Sequence, residues 1–265
     1  MKAKKSGFTL IELSITLVII GLLTSGVLLG QDLIRAAEIR RVISDAETYK
    51  TAYNTFKLKY NCIAGDCANA TDYFGEVDSN PLTCQATASV GTLTCNGDGD
   101  GRVSVYSVSP TYYERFRFWQ QLSAAKLIRG HYTGVTGSGG PTQCIIGTNC
   151  PEASLPSSGF TFGNWGYFAG STSHYAMNYG NVFVFGKAVG ALTGEPIFTP
   201  AEAFAFDQKI DDGKPATGLA IARNNALFGD VNACTTSINA NDYTGEYNTT
   251  SSVVSCSFNI KTGDY

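Results

Sequence analysis

The feature that most restricts the fold is a continuous apolar stretch close to the N-terminus. Residues 8–30 read FTLIELSITLVIIGLLTSGVLLG, 23 residues with a single charged side chain, Glu12. At about 1.5 Å per residue, a helix of this length spans the roughly 30 Å hydrocarbon core of a bilayer. A cleaved signal peptide has a shorter apolar core followed by a small-x-small site. The stretch therefore predicts a helix that stays in the membrane.

The residues before this stretch predict its orientation. Residues 1–7 carry three lysines, and basic residues resist translocation, so this end is expected in the cytoplasm and the rest of the chain across the membrane. The tract ends in Gly7, and a cut after that glycine would leave the apolar helix on the mature chain. The net charge of -3 over 265 residues gives no electrostatic reason to expect nucleic acid as a partner.

Glu12 is the exception within the apolar stretch. A carboxylate in lipid costs roughly 2.5–3.5 kcal/mol on insertion scales and is by default functional, with a partner. One interpretation is a side chain that reaches the nearby interface, because Glu12 lies only five residues after Gly7. The other is a charge pair with the free α-amino group that cleavage before Phe8 creates on a neighbouring subunit. Such a pair is weak in water and strong in lipid, so it would set the register between packed helices.

Residues 5–13, KSGFTLIEL, closely match a cleavage and methylation signature. In these residues the chain resembles type IV pilins and the pseudopilins of type II secretion. The resemblance implies cleavage between Gly7 and Phe8 by a prepilin peptidase, methylation of the Phe8 amine, and assembly with identical or related subunits into a helical filament through Glu12. It is close over residues 1–55 and only architectural beyond them.

The resemblance also implies where the protein resides. The chain would lie in the bacterial inner membrane as a single-pass protein with its head in the periplasm, and would then pass through the inner-membrane assembly machinery into a pilus or pseudopilus at the cell surface. One feature departs from the family pattern. Many type IV pilins carry a proline within the membrane helix, whereas this chain has none before Pro81, so no proline kink is predicted.

The helix is predicted to continue beyond the membrane, to about Lys59. Apolar residues recur at spacings of three and four, which indicates a single apolar face. These residues are Ile39, Val42, Ile43, Ala46, Tyr49, Tyr53, Phe56 and Tyr60. Residues 31–60 are therefore predicted to be an amphipathic half of the helix that packs on a globular head.

Residues 61–265 form the predicted head. Short apolar runs separated by Gly, Asn, Asp and Ser predict strands at 179–189 and 217–223 and a hairpin loop between Cys234 and Cys256. Capping boxes predict two short helices, one that starts at 111–114 and ends at Gly130, with Trp119 in the core, and one over residues 200–209. The predicted fold class is α+β and pilin-like: a long N-terminal helix, membrane-spanning in its first half, packed on an antiparallel β-sheet head with short extra helices and disulfide-stapled loops.

Eight cysteines in an exported chain predict disulfides. Zinc is the alternative, but the sequence lacks Cys-x-x-Cys and contains only two histidines. Eight cysteines allow roughly a hundred connectivities, so the pairing rests on proximity in the sequence. The predicted pairs are Cys62–Cys67, Cys84–Cys95, Cys144–Cys150 and Cys234–Cys256.

Residues 96–103, NGDGDGRV, form the best ligand motif. Oxygen-bearing side chains at alternate positions, a glycine at the sixth and an aliphatic residue at the eighth match the first half of an EF-hand loop, so Ca²⁺ is the expected cofactor. The predicted ligands are Asn96, Asp98, Asp100 and, through its backbone carbonyl, Arg102. The twelfth position is Ser107 rather than the usual glutamate, and Glu114 is a candidate substitute. The alternative is a plain Gly/Asp turn. At Asp211 and Asp212 a turn is favoured over a cation site.

The sequence favours a structural role over an enzymatic one. It contains none of the common nucleophile, phosphate-loop or metalloprotease motifs, so no enzyme activity is expected. The predicted function, implied by the resemblance, is a structural subunit of a type IV pilus or related filament. A type II secretion pseudopilin is one alternative. Another is a minor or tip pilin whose head binds a surface through Trp165 and Tyr167. Burial of both residues would exclude this surface-binding hypothesis. The head of 205 residues favours a minor subunit or an elaborated head.

Overall fold

The predicted α+β class is confirmed by a computed structural model, which describes residues 9–104, 114–137, 143–167, 171, 173–189, 192–224, 234–237 and 239–263. A 51-residue N-terminal helix lies against an antiparallel sheet. The helices are α1 (Leu10–Tyr60), α2 (Ala70–Phe74), α3 (Pro81–Cys84), α4 (Glu114–Ala124) and α5 (Pro200–Ile210). The strands are β1 (Ser158–Tyr167), β2 (Asn178–Val189), β3 (Leu192–Glu195), β4 (Ala220–Asn224) and β5 (Cys256–Lys261).

The sheet is built around β2, the strand predicted at 179–189. The strand order is β1-β2-β5-β4, with β3 paired to β2, and every pairing is antiparallel. Successive side chains of a strand point to opposite faces. Along β2, Phe183 and Phe185 belong to one buried cluster, and Val182 and Val184 belong to another. The sheet therefore carries a core on each face.

The larger core is aromatic and joins the sheet to α1 and α4. The rings of Phe118 and Phe162 stack with centroids 3.7 Å apart. Tyr49 meets Trp119 and Phe160 edge-on, each at 5.1 Å. The edge-to-face pairs have a favoured aromatic geometry. Trp119 is fully buried, which confirms its predicted place in the core.

Helix α1 has two halves with opposite surroundings. In the second half, six residues of the face predicted from the periodicity are buried against the head: Ile39, Val42, Ile43, Ala46, Tyr53 and Phe56. Ala52, which was not predicted, is buried with them. Tyr49 and Tyr60 are partly buried and pack at the margin of this face. In the first half, every large apolar side chain that the structure describes between residues 10 and 34 is exposed. By length and composition, α1 could cross a membrane, and none of the residues in its most apolar segment is buried.

Helix α4 ends earlier than predicted, at Ala124 instead of Gly130. Lys126 adopts a left-handed conformation with φ of 60°, and the Leu127 N–H donates to the Leu122 carbonyl at 3.0 Å. This is a Schellman closure, a turn that usually has glycine at the left-handed position. Because lysine occupies that position here, the sequence carries no stop signal at the true end. The predicted start at 111–113 lies outside the described residues.

Strand β4 begins at Ala220, three residues later than predicted. The Lys214 N–H donates to Asp212 Oδ1 at 2.8 Å, and the Thr217 hydroxyl donates to Asp212 Oδ2. Residue 217 therefore belongs to a turn that the aspartate stabilises, as the turn interpretation of Asp212 predicts.

The region from Cys234 to Cys256 is not the regular hairpin that was predicted. In its described part, the pairing is a single bridge between Thr235 and Tyr247, and the disulfide closes the loop. Cys256 instead begins β5, which lies between β2 and β4, and its N–H donates to the Phe198 carbonyl at 3.0 Å. Partners distant in the sequence replace the local one that a hairpin would use.

Arg35 fastens α1 to the head at the point where the helix leaves it. The guanidinium grips the Glu202 carboxylate with two hydrogen bonds, from Nε at 2.6 Å and from Nη2 at 3.3 Å. Nη2 also donates to the Ile197 carbonyl at 2.9 Å. Glu202 closes the predicted capping box of α5 with Thr199. Burial alone would raise the pKa of Glu202, but the bonds from Arg35 and Thr199 outweigh it and lower that pKa.

Asp207 fastens the other end of α5 to the C-terminal region. The side chain is fully buried, and the Tyr247 hydroxyl donates to its Oδ2 at 2.6 Å. Burial raises the pKa of Asp207 to about 7, although the bond from Tyr247 lowers it in part. In the folded chain the carboxyl group therefore remains protonated to a much higher pH than in the unfolded chain.

We expect Arg35→Ala to weaken the junction between α1 and the head. Loss of a bidentate, partly buried pair should cost about 1–2 kcal/mol of unfolding free energy. Hydrogen exchange of the full chain in detergent should show faster exchange around the first turn of α5. Arg40→Ala, which removes an exposed arginine of the same helix, is the control. Equal effects of the two substitutions would contradict the assigned role.

We expect Asp207→Asn to remove a pH-dependent cost. The folded-state pKa is raised, so ionisation of Asp207 costs more in the folded chain, and stability falls as pH rises from about 4 to about 7. Asparagine retains an acceptor for Tyr247 and does not ionise. Denaturation at several pH values should show that the unfolding free energy of the variant rises relative to that of wild type as the pH approaches neutrality. In the exposed control, hydrogen bonds from Thr244 lower the pKa of Asp242, so Asp242→Asn should show no such gain. A gain that did not change with pH would count against the assignment.

Candidate functional site

The N-terminal signature is described from Thr9 onward, so Gly7 and Phe8 lie outside the described residues. Glu12 lies in the first turn of α1, and Thr9 is the N-cap. The Thr9 N–H and the Thr9 hydroxyl each donate to Glu12 Oε2 at 2.8 Å, and the Glu12 N–H donates to Thr9 Oγ1 at 3.3 Å. The two residues form a reciprocal capping box. Thr-x-x-Glu is visible in the sequence, and this second role of Glu12 was missed.

This capping box decides where the Glu12 carboxylate lies. The carboxylate folds back over the first turn, where unpaired backbone N–H groups give the helix its positive end. Thr9 directly follows Phe8, the residue whose amine the predicted cleavage would release. Glu12 is thus turned toward the cleavage junction, and in the single chain Thr9 supplies its hydrogen bonds.

Three aspartates of the head form a second candidate site. The carboxylate oxygens of Asp66, Asp98 and Asp100 lie within 4.8 Å of one another, and we call them the aspartate cluster. Asp66 is only 3% exposed, whereas Asp98 and Asp100 are exposed. The Gly101 N–H donates to Asp66 Oδ2 at 3.0 Å. The other oxygen, Oδ1, is buried and accepts no hydrogen bond from any residue that the structure describes.

Two of the four predicted ligands, Asp98 and Asp100, belong to the aspartate cluster. Asn96 Oδ1 accepts the Thr71 N–H at 2.9 Å, at the start of α2. The Arg102 N–H donates to Asp100 Oδ1 at 2.8 Å. Asp66, the third member of the cluster, was not predicted. It lies thirty residues earlier in the chain, so the spacing of the motif held no signal for it.

Glu114, the candidate substitute ligand, forms hydrogen bonds to the backbone of the loop that contains Asp98 and Asp100. It is fully buried, and its two oxygens accept the Asp98 N–H at 3.1 Å and the Ser104 N–H at 2.9 Å. Burial raises the pKa of Glu114 to about 6. Burial, together with the negative charge of Glu114, raises the pKa of Asp66 to about 7. Burial therefore disfavours the charged form of Asp66 more than its hydrogen bond from Gly101 favours it, and the charge of Glu114 adds to this effect.

Close backbone packing holds these segments together. A side chain at Gly97 would collide with the Asp66 backbone, and one at Gly65, where φ is +87°, would collide with the Glu114 carbonyl. Only glycine fits at such approaches.

The disulfides flank the same segments. The eight cysteines form the four predicted pairs, Cys62–Cys67, Cys84–Cys95, Cys144–Cys150 and Cys234–Cys256. The first pair closes the loop that contains Asp66. The second ends directly before residue 96.

A second acidic group, Asp207, Asp211 and Asp212, is built differently. Asp211 Oδ2 accepts the backbone N–H groups of Leu219 and Ala220. Asp211 and Asp212 thus both serve the turn before β4, and no loop with oxygen ligands at alternate positions adjoins them.

The two aromatic residues proposed as ligand contacts lie in different environments. Trp165 is 4% exposed, stacks on His174 and lies under the Arg223 guanidinium, 5.8 Å from the ring centroid. Tyr167 is 63% exposed. Trp165 is therefore a core residue, and of this pair only Tyr167 is available to a ligand.

Comparison with known proteins bears on the N-terminus. No curated protein and no solved structure matches the chain. Residues 2–28 match the family model described as the prokaryotic N-terminal methylation motif. Together with the apolar half of α1 and the capped Glu12, this match establishes that the chain carries the N-terminal signature of type IV pilins and pseudopilins.

Proposed function

We propose that the chain is a structural subunit of a type IV pilus or related filament, cut after Gly7 by a prepilin peptidase and assembled through α1. The observation that carries the proposal is the exposure of the first half of α1 in a chain with the methylation motif. Among the side chains that the structure describes between Leu10 and Ile34, fourteen large apolar ones are exposed. A helix that is apolar on all sides is stable only when something apolar surrounds it.

Two environments surround this half of the helix, one before assembly and one after it. The bilayer covers it first, because its length matches the hydrocarbon core and its backbone hydrogen bonds are all internal. Equivalent helices of identical or related subunits cover it after assembly. The head remains on the far side of the membrane, held to α1 by the aromatic core and by Arg35.

Glu12 gives the assembly its register. In lipid the carboxylate requires a partner, and the amine that cleavage frees at Phe8 of a neighbouring subunit is the partner that processing itself creates. The capping box limits the cost of Glu12 before assembly, because Thr9 supplies two hydrogen bonds to the carboxylate. This arrangement favours a scaffold role over an enzymatic one.

The same features suit a pseudopilus of type II secretion. The two settings differ in where the processed chain accumulates: mechanical shearing releases surface pili, whereas a pseudopilus stays in the periplasm. Shearing the producing bacterium and probing both fractions with an antibody to the head therefore separates the alternatives.

We expect Gly7→Leu to block processing. A bulky side chain at the cut position should leave residues 1–7 on the chain, so that intact-mass analysis of the membrane fraction finds the leader attached and Phe8 unmethylated. Ser6→Ala, the neighbouring change, should be processed normally. A Gly7→Leu chain that is cut and assembles would refute the proposal.

We expect the charge of Glu12, more than its capping role, to determine assembly. Glu12→Gln preserves hydrogen bonding in the capping box and removes the charge, whereas Thr9→Ala weakens the cap and preserves the charge. If the pair with the Phe8 amine sets the register, Glu12→Gln should lower the yield of sheared filaments about tenfold or more. A tenfold loss corresponds to about 1.4 kcal/mol of assembly free energy.

Thr9→Ala and the exposed control Glu47→Ala should assemble close to the wild-type level. If Glu12→Gln assembled normally while Thr9→Ala failed, Glu12 would be a capping residue and the charge pair would be excluded. Processing is measured in each variant, so that failed cleavage is distinguished from failed assembly.

A further inference from the structure

We propose that Asp66, Asp98 and Asp100 bind a calcium ion, which joins the loop after α1 to the loop before α4. The inference is independent of the proposed function, because it concerns the head and not the N-terminal helix. It replaces Asn96 with Asp66 as the first ligand and gives Glu114 a positioning role.

The buried oxygen of Asp66 carries the argument. Oδ2 accepts the Gly101 N–H, while Oδ1 has no hydrogen-bond partner among the described residues although the side chain is only 3% exposed. An unpartnered carboxylate oxygen in a protein interior is costly, and such groups are paired or coordinate metals. One carboxylate oxygen of each of Asp66, Asp98 and Asp100 lies within 4.8 Å of the other two, so a cation bound between the three side chains would reach the Asp66 carboxylate.

A fourth acidic side chain stands behind the three aspartates. Glu114 is fully buried, and its carboxylate accepts the N–H groups of Asp98 at 3.1 Å and Ser104 at 2.9 Å. A divalent ion between the aspartates would offset the repulsion among these carboxylates.

The ligand chemistry favours calcium over other metals. The cluster offers hard carboxylate oxygens and neither histidine nor thiolate, which excludes the usual ligand sets of zinc and copper. Two ligands lie on a Gly-rich loop with Gly99 and Gly101 at positive φ, a geometry that suits the variable coordination of Ca²⁺. Mg²⁺ requires near-ideal octahedral geometry and tends to retain its water.

The structure supplies the rigid frame for the site. Gly97 admits close approach of the Asp66 backbone and Gly65 that of the Glu114 carbonyl, and two disulfides close the adjoining loops. Glu114 fixes both ends of the loop by accepting the N–H groups of Asp98 and Ser104. Bound calcium would therefore lock the end of α1 to the head.

Calcium binding to the full chain in detergent tests the proposal. Equilibrium binding of radioactive Ca²⁺ should give one ion per chain, with a dissociation constant near the roughly 10⁻⁴–10⁻³ M of extracellular modules. Calcium at a hundred times that constant should raise the unfolding temperature by roughly 5–10 °C over the value in EDTA. The fluorescence of the buried Trp119 and Trp165 reports unfolding.

The Asp66→Asn and Asp98→Asn variants should lose both the bound ion and the calcium-induced rise. Asp242→Asn, which removes an exposed aspartate that also accepts a backbone N–H, should retain both. In EDTA, Asp66→Asn should be at least as stable as wild type, because it removes one of the crowded charges. This comparison distinguishes loss of a ligand from general misfolding.

Three results would overturn the inference. The first is wild-type protein without bound calcium, and the second is an Asp66→Asn variant with undiminished binding. The third is an equal rise in unfolding temperature with Mg²⁺ at the same concentration, which would show general cation screening in place of a calcium site.

Discussion

The structure depends on burial of one face of α1 against the aromatic core. Tyr53 and Phe56 are almost fully buried, and Tyr49 packs on Trp119 and Phe160. At about 25 cal/mol per Å² of apolar surface, aromatic groups of this size are the largest single contributions to such a core. This contact determines the position of the head along the helix. Everything N-terminal to it, from residue 10 to about residue 34, is left without a partner inside the molecule.

The two halves of α1 have different surroundings: the first half is apolar and exposed, and the second half packs against the head. Between residues 10 and 30 the exposed apolar half carries one charged side chain, Glu12, whose carboxylate accepts two hydrogen bonds from Thr9. At the junction, Arg35 replaces apolar packing with a bidentate pair to Glu202, which also caps α5. A lateral force on the helix would therefore reach the head through a polar clasp and an aromatic core.

Disulfide bonds close polar loops of the head, which bury little apolar surface of their own. Each of the four disulfides joins cysteines close in sequence, so together they restrain loops and leave the order of the strands to packing. The aspartate cluster lies where the Cys62–Cys67 loop meets the segment that follows the Cys84–Cys95 loop. Its charges resist close approach, and the disulfides and the glycine contacts hold them together nonetheless.

The sequence by itself determined what depends on neighbours within a few residues. Helix α1, the capping box at Thr199, β2 and the disulfide pairs follow from periodicity, capping and proximity, which are local properties. The end of α4 was missed because Lys126 stands where glycine is usual. Only the tertiary structure placed β5 between β2 and β4 and brought Asp66 to Asp98, because those contacts join residues far apart in the chain. Their free energy comes from packing, which no local pattern records.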